Sequence, residues 1–341
     1  MTTLNLKTGH IDLSHGAGGR AMAQLIEQIF ARELHNDYLA QGDDGARLPS
    51  AHGKLVMATD AHVVSPLFFP GGDIGCLAVH GTINDVAMMG ATPLYLAASF
   101  ILEEGFPFAD LTRIVASMAA ASREAGVPVV TGDTKVVERG KADGVFIATT
   151  GVGVLRDGVD CSGRNACPGD AVLISGPIGD HGMAIMSVRE NLSFDSPIVS
   201  DTAALHGLTS ALLDAMPEVH VLRDPTRGGV AATLNEITRQ SRVGIVLDET
   251  AIPVRPAVAA ACELLGLDPL NIANEGRLIA ICPAHLAGTA LAALRAHPLG
   301  RDAALIGRVE QDARCFVQMV TRFGGRRMID WLSGDALPRI C

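Results

Sequence analysis

The stretch Asp110 to Lys135, DLTRIVASMAAASREAGVPVVTGDTK, decides the fold class. Up to Ala125 it reads as a helix, and Gly126 stops it. Val127-Pro128-Val129-Val130-Thr131 then reads as a short aliphatic strand ending on Gly132-Asp133. Helix, glycine stop, strand and acidic turn in succession are the marks of a layered α/β protein. Working outward toward the N-terminus, Lys54 to Thr59 reads as a strand ending at Asp60, and Asp73 to Met89 as a helix stopped by Gly90. Toward the C-terminus Val145 to Thr150 is another strand. Together these make one α/β unit over residues 1–155.

The segment Leu155 to Pro168 is rich in Gly, Asp and Cys and marks a boundary. A second unit, residues 156–323, opens with the aliphatic run Asp170-Ala171-Val172-Leu173-Ile174-Ser175. Helices are expected at Met183 to Asn191, Ser200 to Ala215, Gly229 to Gln240, Pro256 to Leu265 and Ala284 to Ala296. Strands are expected at Gly244 to Leu247, Leu278 to Cys282 and Ala304 to Val309. The last stretch, 324–341, carries Gly324-Gly325, Gly334 and Pro338 without a clear period and reads as a flexible tail that ends on Cys341.

Composition agrees. A chain of 341 residues suits two domains. It is 48% hydrophobic but only 4% aromatic, so the core must be aliphatic, as in α/β layers where buried parallel strands read as aliphatic runs. A net charge of -10 with no basic cluster argues against a nucleic-acid partner. No apolar stretch is long enough to span a bilayer, and the start lacks a signal peptide's basic-then-apolar build, so a cytoplasmic location is expected. Seven cysteines, none in a C-x-x-C pair, support neither a disulfide framework nor a structural zinc motif. Cys161 and Cys167 read as ordinary thiols rather than a loose metal pair.

Chemistry concentrates where acidic residues meet glycine or the ends of elements. Asp44, Asp60, Asp85 and Asp133 do so in the first unit, and hard cations such as Mg²⁺ take carboxylates together with substrate phosphates. Each alone could be a cap or turn residue; four in one half of the chain favour a metal–phosphate site. Asp85 and its neighbour Asn84 lie inside a largely apolar helix, a costly place for an unpartnered charge. The loop His15-Gly16-Ala17-Gly18-Gly19-Arg20-Ala21 precedes a helix and could offer backbone N–H groups to a phosphate. Its match to a dinucleotide fingerprint is weak, and no Walker A sequence exists. In the second unit Arg227 could meet phosphate or be a solvated loop arginine, His181 could serve as a base although a lone loop histidine is more often solvated or hydrogen-bonded, and Glu275, flanked by Asn274 and Gly276, reads from spacing alone as a turn residue.

Longer strings carry a resemblance. Ser14-His15-Gly16-Ala17-Gly18-Gly19, Pro66-Leu67-Phe68-Phe69-Pro70-Gly71-Gly72, Gly81-Thr82-Ile83-Asn84-Asp85-Val86-Ala87 and Val130-Thr131-Gly132-Asp133-Thr134-Lys135 are similar to segments of the HypE family of hydrogenase maturation enzymes. Gly179-Asp180-His181-Gly182, Arg227-Gly228-Gly229, Ala273-Asn274-Glu275-Gly276 and the ending Pro338-Arg339-Ile340-Cys341 continue it, in the family's order, over nearly the whole chain. The resemblance implies the PurM-like fold of the aminoimidazole ribonucleotide synthetase superfamily: an N-terminal ATP-binding and dimerisation domain, a C-terminal α/β domain and a homodimer. It implies that the carbamoyltransferase HypF loads a carbamoyl group on Cys341, that ATP and Mg²⁺ drive its dehydration to a thiocyanate, and that the cyanide passes to iron on a HypC–HypD complex. It further implies Asp44, Asp60, Asp85 and Asp133 as Mg²⁺–ATP carboxylates. Asn84, Arg227 and the glycines Gly16, Gly18 and Gly19 join the nucleotide site. Lys135 would act on phosphate or the carbamoyl oxygen, and Glu275 would be the base. Ala17 departs from the serine commoner in that family's loop. The rival expectations are a kinase or synthetase of the same fold acting on a free small molecule, a non-catalytic nucleotide-binding scaffold and, more distantly, a Rossmann oxidoreductase. A substrate-bearing Cys341 distinguishes the first expectation from these.

Overall fold

The computed structural model describes residues 3–192, 194, 197–331 and 339–341. Asp73 caps the first long helix: its Oδ1 accepts from the backbone N–H groups of Gly75 and Cys76. That helix, α2 (Ile74–Met88), follows α1 (Arg20–Leu25), β1 (Leu55–His62), β2 (Phe68–Phe69) and β3 (Gly72–Asp73). β4 (Ala91–Glu103), α3 (Phe108–Ala125), β5 (Val129–Val137) and β6 (Val145–Leu155) complete the first unit. Four of its six strands form one sheet in the order β1-β6-β4-β5, with only β4 and β5 parallel, and β2 pairs with β3. Helix α2 is buried almost all round because it lies between this sheet and the rest of the molecule.

The second unit contains β7 (Asp170–Ile174), α4 (Asp180–Arg189), α5 (His206–Ala215), β8 (Val221–Arg223), α6 (Gly229–Ser241), β9 (Gly244–Asp248) and α7 (Pro256–Leu265). It ends with β10 (Ile279–Pro283), α8 (Ala287–Ala296), β11 (Ala304–Glu310), β12 (Val317–Val320) and β13 (Arg326–Ile329). The seven strands run in the order β13-β12-β9-β11-β7-β10-β8. All neighbours are antiparallel except β9 and β12. The aliphatic runs were expected to be parallel strands; they report burial on two faces, not direction. In β7, Val172 and Ile174 enter one core while Ala171 and Leu173 enter another, and β10 alternates in the same way.

Three expectations need correction. β1 and β5 do not end at Asp60 and Asp133 but run on to His62 and Val137, since backbone pairing with β6 and β4 continues past both acids. The loop Leu13–Gly16 is a 3₁₀ turn capped by Asp12, not the end of a strand, so the dinucleotide fingerprint has no structural basis. Part of the stretch expected to be a flexible tail is ordered: β13 pairs with β12, and Asn235 Nδ2 donates to Ile329 O at 3.0 Å. Gly334, read as a tail hinge, and Pro338, read as keeping the end from continuing a helix, lie outside the described residues. No helix among the described residues is long and apolar enough to cross a membrane.

The two units share their interior. Ile185, Ala273 and Ile340 pack into the core of the first, and Ala87 and Met88 into a core of the second with Leu205 and Leu212.

Candidate active site

The junction between the units gathers most of the charged chemistry. β1 brings Asp60 to the inner face of its sheet, beside buried His62, whose Nε2 lies 3.7 Å from Asp60 Oδ2. Both face Gly81 of α2, where a Cβ would meet His62 at 3.1 Å. One turn further along α2 is half-buried Asp85. From the second unit come Asp224 after β8, exposed Arg227 before α6, and buried Glu275 before β10.

The loop carrying Glu275 is fixed by its neighbours. Asn274 Oδ1 accepts from Gly179 N at 2.7 Å, and its Nδ2 donates to Pro225 O and Ile272 O, tying three loops together. Glu275 N donates to Asp201 Oδ1 at 3.1 Å. Gly276 is required: a Cβ there would fall 1.7 Å from Asp201 O.

These acids feel one another. Burial first, then the charges of Asp224 and Asp60, push Asp85 up to about 7. Burial also pushes Asp224 up to about 6. Glu275 is raised well above the usual carboxylate range by burial and by Asp224, Asp201 and Asp60. His62 is pushed down by burial and stays neutral.

Cys341 reaches into this cluster. Burial, then the Glu275 charge, push its thiol up, while Arg227 opposes the shift. Three residues of backbone dock with it. Val63 N donates to Cys341 O and Ser65 N to Arg339 O, both at 3.2 Å. His181 Nε2 donates to Ile340 O at 2.8 Å, while its Nδ1 lies 2.8 Å from Ser200 Oγ. The Arg189 guanidinium also holds Arg339 O, and Arg339 pairs with Asp143. Ile340 is buried in the first core.

A cation fits here on its donor chemistry. Several carboxylates resist ionisation, first through burial and then through one another's charge, and Glu275 Oε1 is buried without a hydrogen-bond partner among the described residues. Asp60, Asp85 and Asp224 are the oxygen donors that a hard divalent ion takes.

Of the sites read from sequence, the structure brings Asp60, Asp85, Arg227, Glu275 and Cys341 together. Asn84 is not free for a ligand: its Nδ2 donates to Ala203 O and its Oδ1 accepts from Leu205 N, joining α2 to the second unit. Asp133 and Lys135 pair with each other at 2.8 Å on the outward side of β5, both exposed. Asp44 lies on an exposed loop, outside the junction cluster. Gly16 packs on Val136, where a Cβ would sit 2.8 Å from its Cβ, so the glycine loop lies against the edge strand β5. His181 is buried and clamps the Ile340 carbonyl. Asp224, His62 and Asp201 were missed as site residues. Asp224 had a signal in its charged, glycine-flanked loop, but His62 and Asp201 become visible only through long-range packing.

Two acid-bearing α/β units meeting at such a junction define the AIR synthase-related class of enzymes. Residues 42–155 match the family "AIR synthase related protein, N-terminal domain" and residues 167–320 its C-terminal counterpart. More narrowly, the chain belongs to the HypE family. It is 66% identical over 341 residues to the carbamoyl dehydratase HypE of Azotobacter vinelandii, covering 100% of both chains. It superposes with a TM-score of 0.93 on a crystal structure of the hydrogenase maturation protein HypE in complex with ATP, at 51% identity over 96% of this chain and 99% of that one. A HypE chain from a HypE–HypF complex superposes with a TM-score of 0.80, at 51% identity over 90% of this chain and 99% of that one.

Proposed function

We propose that this chain is an ATP-dependent carbamoyl dehydratase whose substrate is a carbamoyl group on its own Cys341. The observation that carries this reading is the docking of residues 339–341 at the junction, which holds the Cys341 thiol in the field of buried Glu275.

The chemistry follows from the groups present. An amide oxygen is a poor leaving group, and phosphorylation makes it a good one. The carbamoyl oxygen attacks the γ-phosphorus of ATP, ADP leaves, and a nitrogen-bound proton passes to Glu275. Loss of the second nitrogen-bound proton, with cleavage of the C–O bond, releases phosphate and leaves S–C≡N. The sum is carbamoyl thioester plus ATP giving thiocyanate, ADP, phosphate and one proton. Glu275 suits a base, because burial and its acidic neighbours raise its proton affinity well above that of an ordinary carboxylate. Arg227 stabilises charge on the transferring phosphoryl group. Asp60, Asp85 and Asp224 would hold Mg²⁺, which when bound neutralises phosphate charge. Gly16, Gly18, Gly19, Asp44, Asp133 and Lys135 form the outer half of the nucleotide site in this proposal. Supporting that grouping, the glycine loop and the Asp133–Lys135 pair share one edge of the sheet.

Residues 1–155 would serve as the nucleotide-binding and pairing unit, 156–323 as the second, and 324–341 as the carrier segment. A homodimer through the first units is supported by the outward face of their sheet, where Leu55, Met57 and Ile101 are 65%, 73% and 42% exposed. HypF would load Cys341, and a HypC–HypD complex would accept the cyanide in the cytoplasm.

Intact-mass analysis after incubation with the carbamoyltransferase, carbamoyl phosphate and ATP tests the reading. The carbamoyl adduct should appear on Cys341 and then lose the mass of water. Cys341→Ala should fold and bind ATP but show neither species. An adduct on another cysteine would sink the proposal.

A further inference from the structure

Outside the junction, three side chains of different donor type converge on one edge of the second unit. Cys167 Sγ, a carboxylate oxygen of Asp170 and a ring nitrogen of His220 all lie within 4.8 Å of one another. We propose that Cys167, Asp170 and His220 form a binding site for a thiophilic divalent cation, with zinc the best match to the donor set and solvent completing the coordination.

The three ligands are pre-placed by backbone structure. Asp170 opens β7, and its N–H donates to Cys167 O at 3.0 Å while its Oδ2 accepts from Cys167 N at 2.8 Å. Gly169, at φ +95°, makes that tight turn possible. His220 sits just before β8: its N–H donates to Ile281 O and its carbonyl accepts from Ser162 N, both at 2.9 Å. Its Nδ1 meets Asp170 Oδ2 at 2.8 Å.

The chemistry is that of a zinc site. One thiolate, one imidazole and one carboxylate are the ligand types zinc takes, whereas a single carboxylate oxygen would not hold Mg²⁺ or Ca²⁺. Asp170 is buried and His220 partly so, but Cys167 is exposed, which leaves an entry path and an open coordination position. Metal entry displaces the thiol proton of Cys167 to solvent. The His220 proton moves from Nδ1 to Nε2, so one proton is released. The other cysteine of the connecting segment, Cys161, is not part of the site: it is buried, with its Sγ directed to Val219 O. An ion here would staple the turn leading out of the first unit to the edge of the seven-stranded sheet, independently of the reaction at Cys341.

Metal-stripped full-length protein, kept reduced with a non-thiol reductant, should be titrated with Co²⁺ alone. One equivalent should give an intense thiolate-to-metal charge-transfer band with the strong visible bands of four-coordinate cobalt, and Zn²⁺ should abolish both. Cys167→Ser should remove the charge-transfer band, and His220→Gln should weaken binding by about tenfold or more. Cys341→Ser should leave the band intact. No band in the wild type, a band that survives Cys167→Ser, or a band lost instead in Cys341→Ser would each overturn the proposal.

Discussion

Two groups of acids in the first unit differ in what surrounds them. Asp60 and Asp85 face inward at the junction, where Asp224 and Glu275 of the second unit crowd them. Asp133 faces outward, where it is exposed and satisfied by Lys135 at 2.8 Å. Inward, burial and like charge raise Asp85 to about 7; outward, hydrogen bonds from Lys135 and the Thr134 backbone hold Asp133 below the usual carboxylate range. A carboxylate that resists ionisation is primed for a cation or a proton, while a solvated ion pair already has its partner. The sequence presents Asp60 and Asp133 alike, as acids at strand ends; only their environments separate them.

Breaking the inward group should have the largest effect. Glu275→Gln keeps the shape and removes the base. The ATP-dependent loss of water from the Cys341 adduct should slow by about 10²–10⁴-fold, while HypF-dependent loading persists. Equal rates by quench-flow mass analysis would return Glu275 to the status of a turn residue.

Asp85→Asn sharpens the contrast, because catalysis and stability should move in opposite directions. ATP turnover should collapse, yet the nucleotide-free protein should melt higher, since one of several repelling charges is gone. The pH dependence carries the same signature. Asp85 and Asp224 have folded values above their unfolded ones, so their favourable contribution is complete below about pH 4. It is lost as pH rises through about 6 to 7. Melting temperatures across that window should fall for the wild type and fall less steeply in Asp85→Asn, where Asp224 still titrates, and Mg²⁺ with ADP should restore the lost stability.

The outward face should respond through association. Met57→Lys places a charge on the uncovered sheet and should shift sedimentation from dimer to monomer without lowering the melting temperature of the monomer. A dimer unchanged by Met57→Lys and Leu55→Lys together would move the pairing surface elsewhere.

The smallest effect is expected at the outward pair. Asp133→Asn with Lys135→Met removes an exposed ion pair and should change stability by no more than about 1 kcal/mol. Its readout is nucleotide affinity: weaker ATP binding by calorimetry supports the outer half of the proposed site, and unchanged binding removes it.

The elements were largely legible. The helix before Gly126 is found as Phe108–Ala125, and Pro256–Leu265 as read. Glycine stops and aliphatic runs are local signals, and local backbone preference produces them. β4 was not seen as a strand because its sequence, Ala91 to Glu103, contains a proline and no turn signal inside thirteen residues. Strand direction was not legible either, since an aliphatic run marks burial on both faces whichever way its neighbours point. Asp60, Asp85, Arg227, Glu275 and Cys341 were named from sequence, but so were Asn84, which is consumed in joining the units, and Asp133, which is paired outward.

The sequence by itself determined a two-part aliphatic α/β chain, its acidic motifs and the cysteine at position 341. Tertiary structure alone decided which acids share a field and what clamps the cysteine among them. Asp60 and Glu275 are far apart in the chain, and His181 grips Ile340 across a separation of 159 residues. Desolvation and Coulomb interactions depend on distance in space and on local burial, and neither is fixed until the two units have packed together.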